Sequence, residues 1–157
     1  MHVIVREKVF IDRDRETVFD FLVSEAGFKT FGGWGPVPGI EAVVYSEGSF
    51  TEPGSLARVT NTDGSTHRER VLRCERPMLY SIRIHDFSSP FRFLIRRADE
   101  TWTLEETPDG CLLNRSFEFE LRSALVWPLS LPIAQVMFRA AMRRHHRVLE
   151  AWGRRSD

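Results

Sequence analysis

From Gly54 to Asp86, apolar and polar residues alternate in three runs, separated by Asp63-Gly64 and by Glu75-Arg76-Pro77-Met78. Period-two alternation is the mark of half-buried strands. An Asp-Gly pair between two such runs predicts a two-residue type I′ turn, whose central residues both need positive φ. This register sets Thr60 opposite His67, Arg58 opposite Glu69 and Leu56 opposite Val71, with all six side chains on one face. The second loop contains a proline, which donates nothing to a ladder. Closing it between Cys74 and Leu79 sets Val71 opposite Ile82, Glu69 opposite Ile84 and His67 opposite Asp86. Tyr80, Ile82 and Ile84 thereby join the Leu56 and Val71 face, with an Arg58–Glu69 ion pair in its middle. Charges so placed either clasp two strands or form the polar floor of a pocket, because burying them unpaired is costly.

The flanking segments supply the remaining elements. Val3 to Asp12 alternates as a strand, with Val3, Val5, Glu7, Val9 and Ile11 on one side and Ile4, Arg6, Lys8 and Phe10 on the other; either side can face the core. Asp14 is placed to cap a helix carrying Val18, Phe19, Phe21 and Leu22, and Ser24 opens a second short helical turn ending at Gly32-Gly33. GGWGPVPGI reads as a connection and not as a phosphate loop. No Gly-Lys-Ser/Thr follows it, and Ile40 to Gly48 is a strand without a helix N-terminus to face an anion. FSSPFRFLIRRAD is apolar and broken by Pro90, as a sheet edge or an aromatic flap over a cavity would be. Glu100–Glu106 and Cys111–Leu121 form a second hairpin about Asp109-Gly110. The same turn pairs Trp102 with Phe117, Leu104 with Arg115 and Glu106 with Leu113. The last helix starts near Leu129 or Ile133, because proline is tolerated in a first turn. Ile133, Met137, Ala140 or Ala141, Arg144 or His145, Val148 and Trp152 recur along it at helical spacing, and Gly153 follows as a C-cap.

Strand, two short helices, six strands and a long helix is the α+β order of a helix-grip fold: a curved antiparallel sheet of about six or seven strands wrapped around the C-terminal helix. Four stretches carry a further likeness: Ile11-Asp12 before Glu16-Thr17-Val18-Phe19, Pro38-Gly39-Ile40, GSLARVTNTDGSTHRERVL with Arg58 and Glu69, and Arg76-Pro77 before Leu79-Tyr80. On these the chain resembles the START-like (SRPBCC) superfamily and, within it, the polyketide cyclase/dehydrase branch. The resemblance spans nearly the whole chain. It departs at Arg13-Asp14-Arg15, where members commonly have an Ala-Pro-Pro-like lead-in to the first helix. It implies a cavity between sheet and helix that takes a hydrophobic ligand, in a superfamily reused for binding, transport and catalysis.

Composition narrows the function. The 157 residues, 42% of them hydrophobic, are the size of one domain over 1–157 with a sizeable core. Basic and acidic residues balance at 22 each, so there is no overall field to hold nucleic acid. The RRHHR run, Arg143 to Arg147, reads as a solvated helix face, and His145 and His146 lack partners at metal-ligand spacing. Cys74 and Cys111 show no CxxC, which argues against zinc and suits a reducing compartment; their pairing is left open. The N-terminus lacks the apolar core of a signal peptide, and no stretch approaches the roughly 20 apolar residues of a membrane span. The expectation is a cytoplasmic protein, monomer or homodimer, without cofactor, nucleic-acid partner or stable membrane insertion. VWPLSLP is expected to pack on the sheet end; the alternatives are a portal lip or a contact with a membrane or partner.

The expected cavity is lined by Leu56, Arg58, Glu69, Val71, Tyr80, Ile82, Trp102, Leu104, Arg115, Phe117 and, from the helix, Met137 and Ala141. Arg58 and Glu69 either fasten two strands or orient a ligand carbonyl or phenol. Glu69 is a candidate proton acceptor, and His67, steadied by Asp86, a candidate general base. Arg115 receives a ligand carboxylate or hydroxyl, or pairs with Glu7 or Glu69. With no Ser/His/Asp or Cys/His set and no nucleotide loop, the favoured function is binding of a small hydrophobic or aromatic molecule, lipid- or polyketide-like, by a carrier or sensor. The alternatives are a polyketide cyclase- or dehydratase-like enzyme working by general acid/base chemistry in the same cavity, and a chaperone-activator-like partner module.

Overall fold

The computed structural model describes residues 2–155. Strand β1 (His2–Ile11) buries Val3, Val5, Val9 and Ile11 and turns Ile4 and Phe10 to solvent, which settles its inner face. Helix α1 (Arg15–Leu22) is capped by Asp14, which accepts from the Thr17 amide at 2.9 Å and the Thr17 hydroxyl at 2.6 Å. These bonds hold the Asp14 carboxyl below its ordinary value. Helix α2 (Glu25–Lys29) is capped by Ser24 in the same way. A two-residue ladder, β2 (Gly33–Trp34) with β3 (Val37–Pro38), closes the Gly/Pro-rich connection on itself.

Six further strands follow: β4 (Ile40–Glu47), β5 (Leu56–Asn61), β6 (Thr66–Glu75), β7 (Leu79–His85), β8 (Ile95–Thr107) and β9 (Gly110–Leu121). They join β1 in a seven-stranded antiparallel sheet of order β1-β9-β8-β7-β6-β5-β4. The chain then runs helically from Ala124 to Gly153 through α3 (Trp127–Pro132), a π-helical turn (Ile133–Phe138) and α4 (Arg139–Gly153). This helix packs on β1 and across the concave side of the sheet, the helix-grip arrangement. Gly153 is the last helical residue and a packing point, not the C-cap. A Cβ there would lie 2.8 Å from Ile11 Cγ2, while Trp152 beside it stacks on Phe21 with ring centroids 4.1 Å apart.

Both Asp-Gly hairpins close in a register other than the I′ one. At the first, Asn61 faces Ser65, so Thr62, Asp63 and Gly64 form a three-residue loop in which Gly64 alone takes positive φ, +80°. That is the form in which a left-handed glycine makes a bulge. The pairing slips by one residue, to Ala57 with Glu69, Arg58 with Arg68 and Val59 with His67. A one-residue slip reverses the faces of one strand relative to its partner. Ala57, Val59 and Asn61 therefore point inward, while Arg58 is exposed and Leu56 leaves the inner face. The expected Arg58–Glu69 pair does not form.

The loop before β7 is three residues long. A bulge between Val71 and Arg73 restores the expected Val71–Ile82 and Glu69–Ile84 pairs. Asp86, at φ +53°, has already left the ladder and approaches His85 and Arg68, so the expected His67–Asp86 contact is absent. At the second hairpin Pro108-Asp109 are the loop residues, a place that suits proline's fixed φ. The register there slips by two, to Trp102 with Arg115, Leu104 with Leu113 and Glu100 with Phe117. Two residues is one full side-chain period, so every face assignment in β8 and β9 survives.

The terminal helix starts before the expected position, and its buried stripe takes Ala141 and His145 of the open alternatives, with Leu149 and Gly153 in place of Val148 and Trp152. Ala134, Ala141, His145, Leu149 and Gly153 are buried, whereas Val148 is 41% exposed. The π-helical turn after Pro132 shifts the phase of everything that follows. This helix is also long and apolar enough, by length and composition, to cross a membrane, contrary to the sequence expectation, and only 22% of its most apolar window is buried. Its inner side is held by the sheet, as Gln135 donating to the Ile4 carbonyl shows.

Candidate functional site

Between the concave sheet and the helix lies a cavity of about 120 Å³, walled mostly by aromatic and aliphatic side chains. Alternation in β8 and β9 brings Glu100, Trp102, Arg115, Phe117 and Phe119 to it, and the reversed β5 brings Asn61 beside His67 and Glu69 of β6. Helix α4 contributes His145, and the segment after α2 contributes Phe31. The polar groups fall into two sets with different degrees of completion.

The first set is closed. Arg115 Nε and Trp102 Nε1 both donate to Glu100 Oε1 in short contacts, and the guanidinium lies over the rings of Phe31, Trp102 and Phe117, 5.1–5.6 Å from their centroids. Arg115 also donates from Nη1 to His145 Nδ1 at 2.7 Å. A guanidinium can only donate, so His145 carries its proton on Nε2 and passes it toward Thr30 Oγ1 at 2.6 Å; Thr30 in turn donates to the Gly27 carbonyl. Burial, and then Arg115, hold His145 neutral, well below its ordinary value. Burial also pushes the Glu100 carboxyl up against the opposing pull of Arg115 and the Trp102 N–H. The Glu100–Arg115–His145–Thr30 chain therefore ties sheet, α4 and the end of α2 together with every polar atom named here partnered. Arg115 pairs with neither Glu7 nor Glu69. Glu7 instead receives Arg139 and Arg143 from the helix.

The second set is open at one end. Asn61 Nδ2 donates to Ser65 Oγ at 2.9 Å and approaches His67 Nδ1 at 3.3 Å. With Nδ1 accepting, His67 presents Nε2–H to Glu69 Oε1 at 3.1 Å. Glu69 is 3% exposed, and its second oxygen, Oε2, has no hydrogen-bond partner. A buried carboxylate oxygen without a donor forgoes a charge-assisted hydrogen bond. The cavity thus presents a vacant carboxylate oxygen next to a histidine and, apart from both sets, the buried Ser130 hydroxyl, which also has no partner.

Of the residues expected to line the cavity, the structure brings together Glu69, Trp102, Arg115 and Phe117, and with them the candidate base His67. Val71, Tyr80, Ile82 and Leu104 are buried in the core behind it, and the Tyr80 hydroxyl donates to the Phe50 carbonyl at 2.7 Å. Ala141 and Met137 pack instead around Phe31 and Val37, a consequence of the helix phase. Arg58 and Leu56 lie outside it for the register reason given above. Asn61, Glu100 and His145 belong to the site and were not placed in it from sequence. Glu100 was within reach, because it shares the face of Trp102 and Leu104 by simple alternation. Cys74 and Cys111 are unbridged. Among the described residues no group of three or more His, Cys, Asp or Glu side chains is placed to hold a metal ion.

A seven-stranded grip on a terminal helix, enclosing a mostly apolar cavity with a polar floor, defines a START-like, helix-grip fold. The chain matches the family described as polyketide cyclase / dehydrase and lipid transport over residues 2–151, and it belongs to that family. Solved structures share the fold at low identity. Ginseng major latex-like protein 151 from Panax ginseng superposes with a TM-score of 0.72 at 14% identity, covering 98% of this chain and 99% of that one. The di-domain ARO/CYC BexL from the BE-7585A biosynthetic pathway gives 0.73 at 15% identity, covering 99% of this chain and 51% of its own. Norcoclaurine synthase from Thalictrum flavum, in complex with dopamine and hydroxybenzaldehyde, gives 0.65 at 12% identity, covering 100% and 90%. No curated protein matches.

Proposed function

We propose that the protein is a carrier or sensor that takes a small hydrophobic or aromatic molecule, lipid- or polyketide-like, into the cavity and engages one polar group of it with Glu69. The vacant Glu69 Oε2, in a chamber walled mostly by aromatic and aliphatic side chains, carries this reading. An acceptor with no internal partner selects a ligand that brings a hydrogen-bond donor, such as a hydroxyl or phenol, while the aromatic walls take its apolar body. Family membership and the shared fold support a hydrophobic-ligand role of this general kind.

Displacement of bound anilinonaphthalenesulfonate by naphthol and by its methyl ether tests the reading. Naphthol should bind about tenfold more tightly than the ether, the effect expected of one hydrogen bond to a charged acceptor, and Glu69→Gln should narrow the gap severalfold. A protein that takes up neither compound would sink the container reading. An unchanged preference in Glu69→Gln would remove Glu69 from it.

The second reading, a cyclase- or dehydratase-like enzyme, is favoured by one observation, the His67–Glu69 bond beside an open acceptor. There Glu69 would act as a base on a substrate held in a reactive shape. It requires Glu69→Gln to abolish turnover of a reactive polyketide with binding nearly intact; equal loss of both marks a binding residue only.

A further inference from the structure

We infer that the cavity takes a two-headed ligand: an apolar body that brings a hydrogen-bond donor to Glu69 on the sheet wall and a carbonyl oxygen to the Ser130 hydroxyl on the helix wall. Among the described residues, two buried side-chain polar atoms of the cavity lining have no hydrogen-bond partner, Glu69 Oε2 and Ser130 Oγ. Asn61, His67, Arg115 and His145, which also line the cavity, already bond one another or their neighbours. Glu69 stands on β6 and Ser130 on α3, so the two unmet atoms belong to opposite walls of the chamber. This inference rests on the ligand reading of Glu69 and adds a second polar contact that narrows the ligand class.

Ser130 is an exception on its own helix stripe. Ser130, Ile133, Ala134 and Phe138 recur at three- and four-residue spacing and line the cavity together, and the other three side chains are apolar. Alanine at this position would suit both the helix and the stripe better. A helical serine ordinarily turns its hydroxyl to solvent or to the carbonyl four residues back, here that of Val126. Ser130 does neither: it is 4% exposed, and its Oγ bonds nothing. A buried hydroxyl without a partner costs free energy that alanine would not, and a residue that breaks a local rule in this way marks a functional position. The two unmet atoms differ in kind. An ionised carboxylate only accepts, so Glu69 calls for a hydroxyl or phenol, whereas the serine hydroxyl rotates freely and donates to a carbonyl oxygen. A single-headed amphiphile, such as a long-chain alcohol, answers Glu69 and leaves Ser130 stranded. A hydroxy-ketone with its two groups at opposite ends of an apolar body answers both.

Displacement of anilinonaphthalenesulfonate by aryl hydroxy-ketones of two lengths tests it. Acetylnaphthol is compared with ethylnaphthol, acetylphenol with ethylphenol, each substituted at the end opposite the hydroxyl, and each ketone with its own methyl ether. In Ser130→Ala the acetyl-over-ethyl binding ratio should fall about fivefold for at least one of the two lengths, the loss expected of one neutral hydrogen bond, while the preference for the phenol over its methyl ether holds. Glu69→Gln should do the reverse. Because Ser130→Ala removes an unmet hydroxyl, the unliganded variant should unfold at or above the wild-type thermal midpoint. An acetyl-over-ethyl ratio that Ser130→Ala leaves unchanged at both lengths overturns the second contact; if the phenol preference persists in that variant, the Glu69 reading stands without it. A thermal midpoint several degrees below wild type also overturns it, by showing that the hydroxyl is bonded within the fold. Uptake of none of these compounds overturns both readings together.

Discussion

The two Asp-Gly hairpins carry the same dipeptide and teach opposite lessons about register. At Asp63-Gly64 the strands close one residue away from the I′ alignment; at Asp109-Gly110 they close two residues away. In both, Asp and Gly occupy the third and fourth positions of the turn, after Asn61-Thr62 and Thr107-Pro108. The difference lies in whether the glycine is left over as a bulge, as Gly64 is, or pairs across the ladder, as Gly110 does with Thr107. Because side chains alternate with period two, the odd slip expels Arg58 and admits Asn61, whereas the even slip keeps Arg115 inside and changes only what it meets. One slip therefore leaves Glu69 without Arg58, with His67 of its own strand and one empty acceptor position, and the other brings Arg115 to Glu100, which already has the indole N–H of Trp102 from its own strand.

The largest expected effect strikes the closed set. Arg115→Ala leaves Glu100 buried without its cation and should destabilise by about 3–5 kcal/mol in urea unfolding, while Arg115→Met with Glu100→Leu should recover most of that loss. A loss below about 1 kcal/mol for the single change would mean that the pair is solvated.

Acid should act next, through the same side of the molecule. His145 and His146 are neutral in the fold, held below 6.5 chiefly by burial, His146 to about 3. The unfolded chain then binds more protons at acid pH, so this stability is fully present above about pH 6.5 and is lost as pH falls through the window beneath it, by about 1.4 kcal/mol per pH unit for each histidine. Glu100, whose carboxyl is raised, works in the opposite sense above pH 4.5. Comparing His146→Leu with wild type from pH 7 to 5 isolates one histidine, and parallel curves would refute the assignment.

Smaller effects separate the first hairpin from its I′ alternative. Gly64→Ala meets no atom within 4 Å, so its cost is conformational, about 1–2 kcal/mol, read as a drop of a few degrees in thermal midpoint. Arg58→Ala should change stability by less than about 0.5 kcal/mol because the side chain stands in solvent. A loss of several kcal/mol there would restore the Arg58–Glu69 pair and with it the I′ register.

Much of the architecture was readable along the chain. The Asp14 and Ser24 caps, the inner faces of β6 to β9 and the grip of a long last helix follow from local chemistry and periodicity. The site was readable in part. His67, Glu69, Trp102, Arg115 and Phe117 sit on faces that alternation assigns once a strand is recognised. Asn61 depended on a turn that the dipeptide alone does not specify. His145 stood on the helix stripe only as the alternative to Arg144, and helix phase, set after a π-helical turn, decided between them. Met137 and Ala141 left the cavity for the same reason.

What the sequence alone determined is which residues form strands and helices, and that charged side chains must lie on an otherwise apolar sheet face. Caps, alternation and helical spacing act over a few residues and need no distant partner. Only the tertiary structure decided which charge meets which, because a turn that closes one residue earlier or later costs little locally, and the choice falls to the packing of a whole sheet against a helix. That packing set two donors on one oxygen of Glu100 and left one oxygen of Glu69 with none.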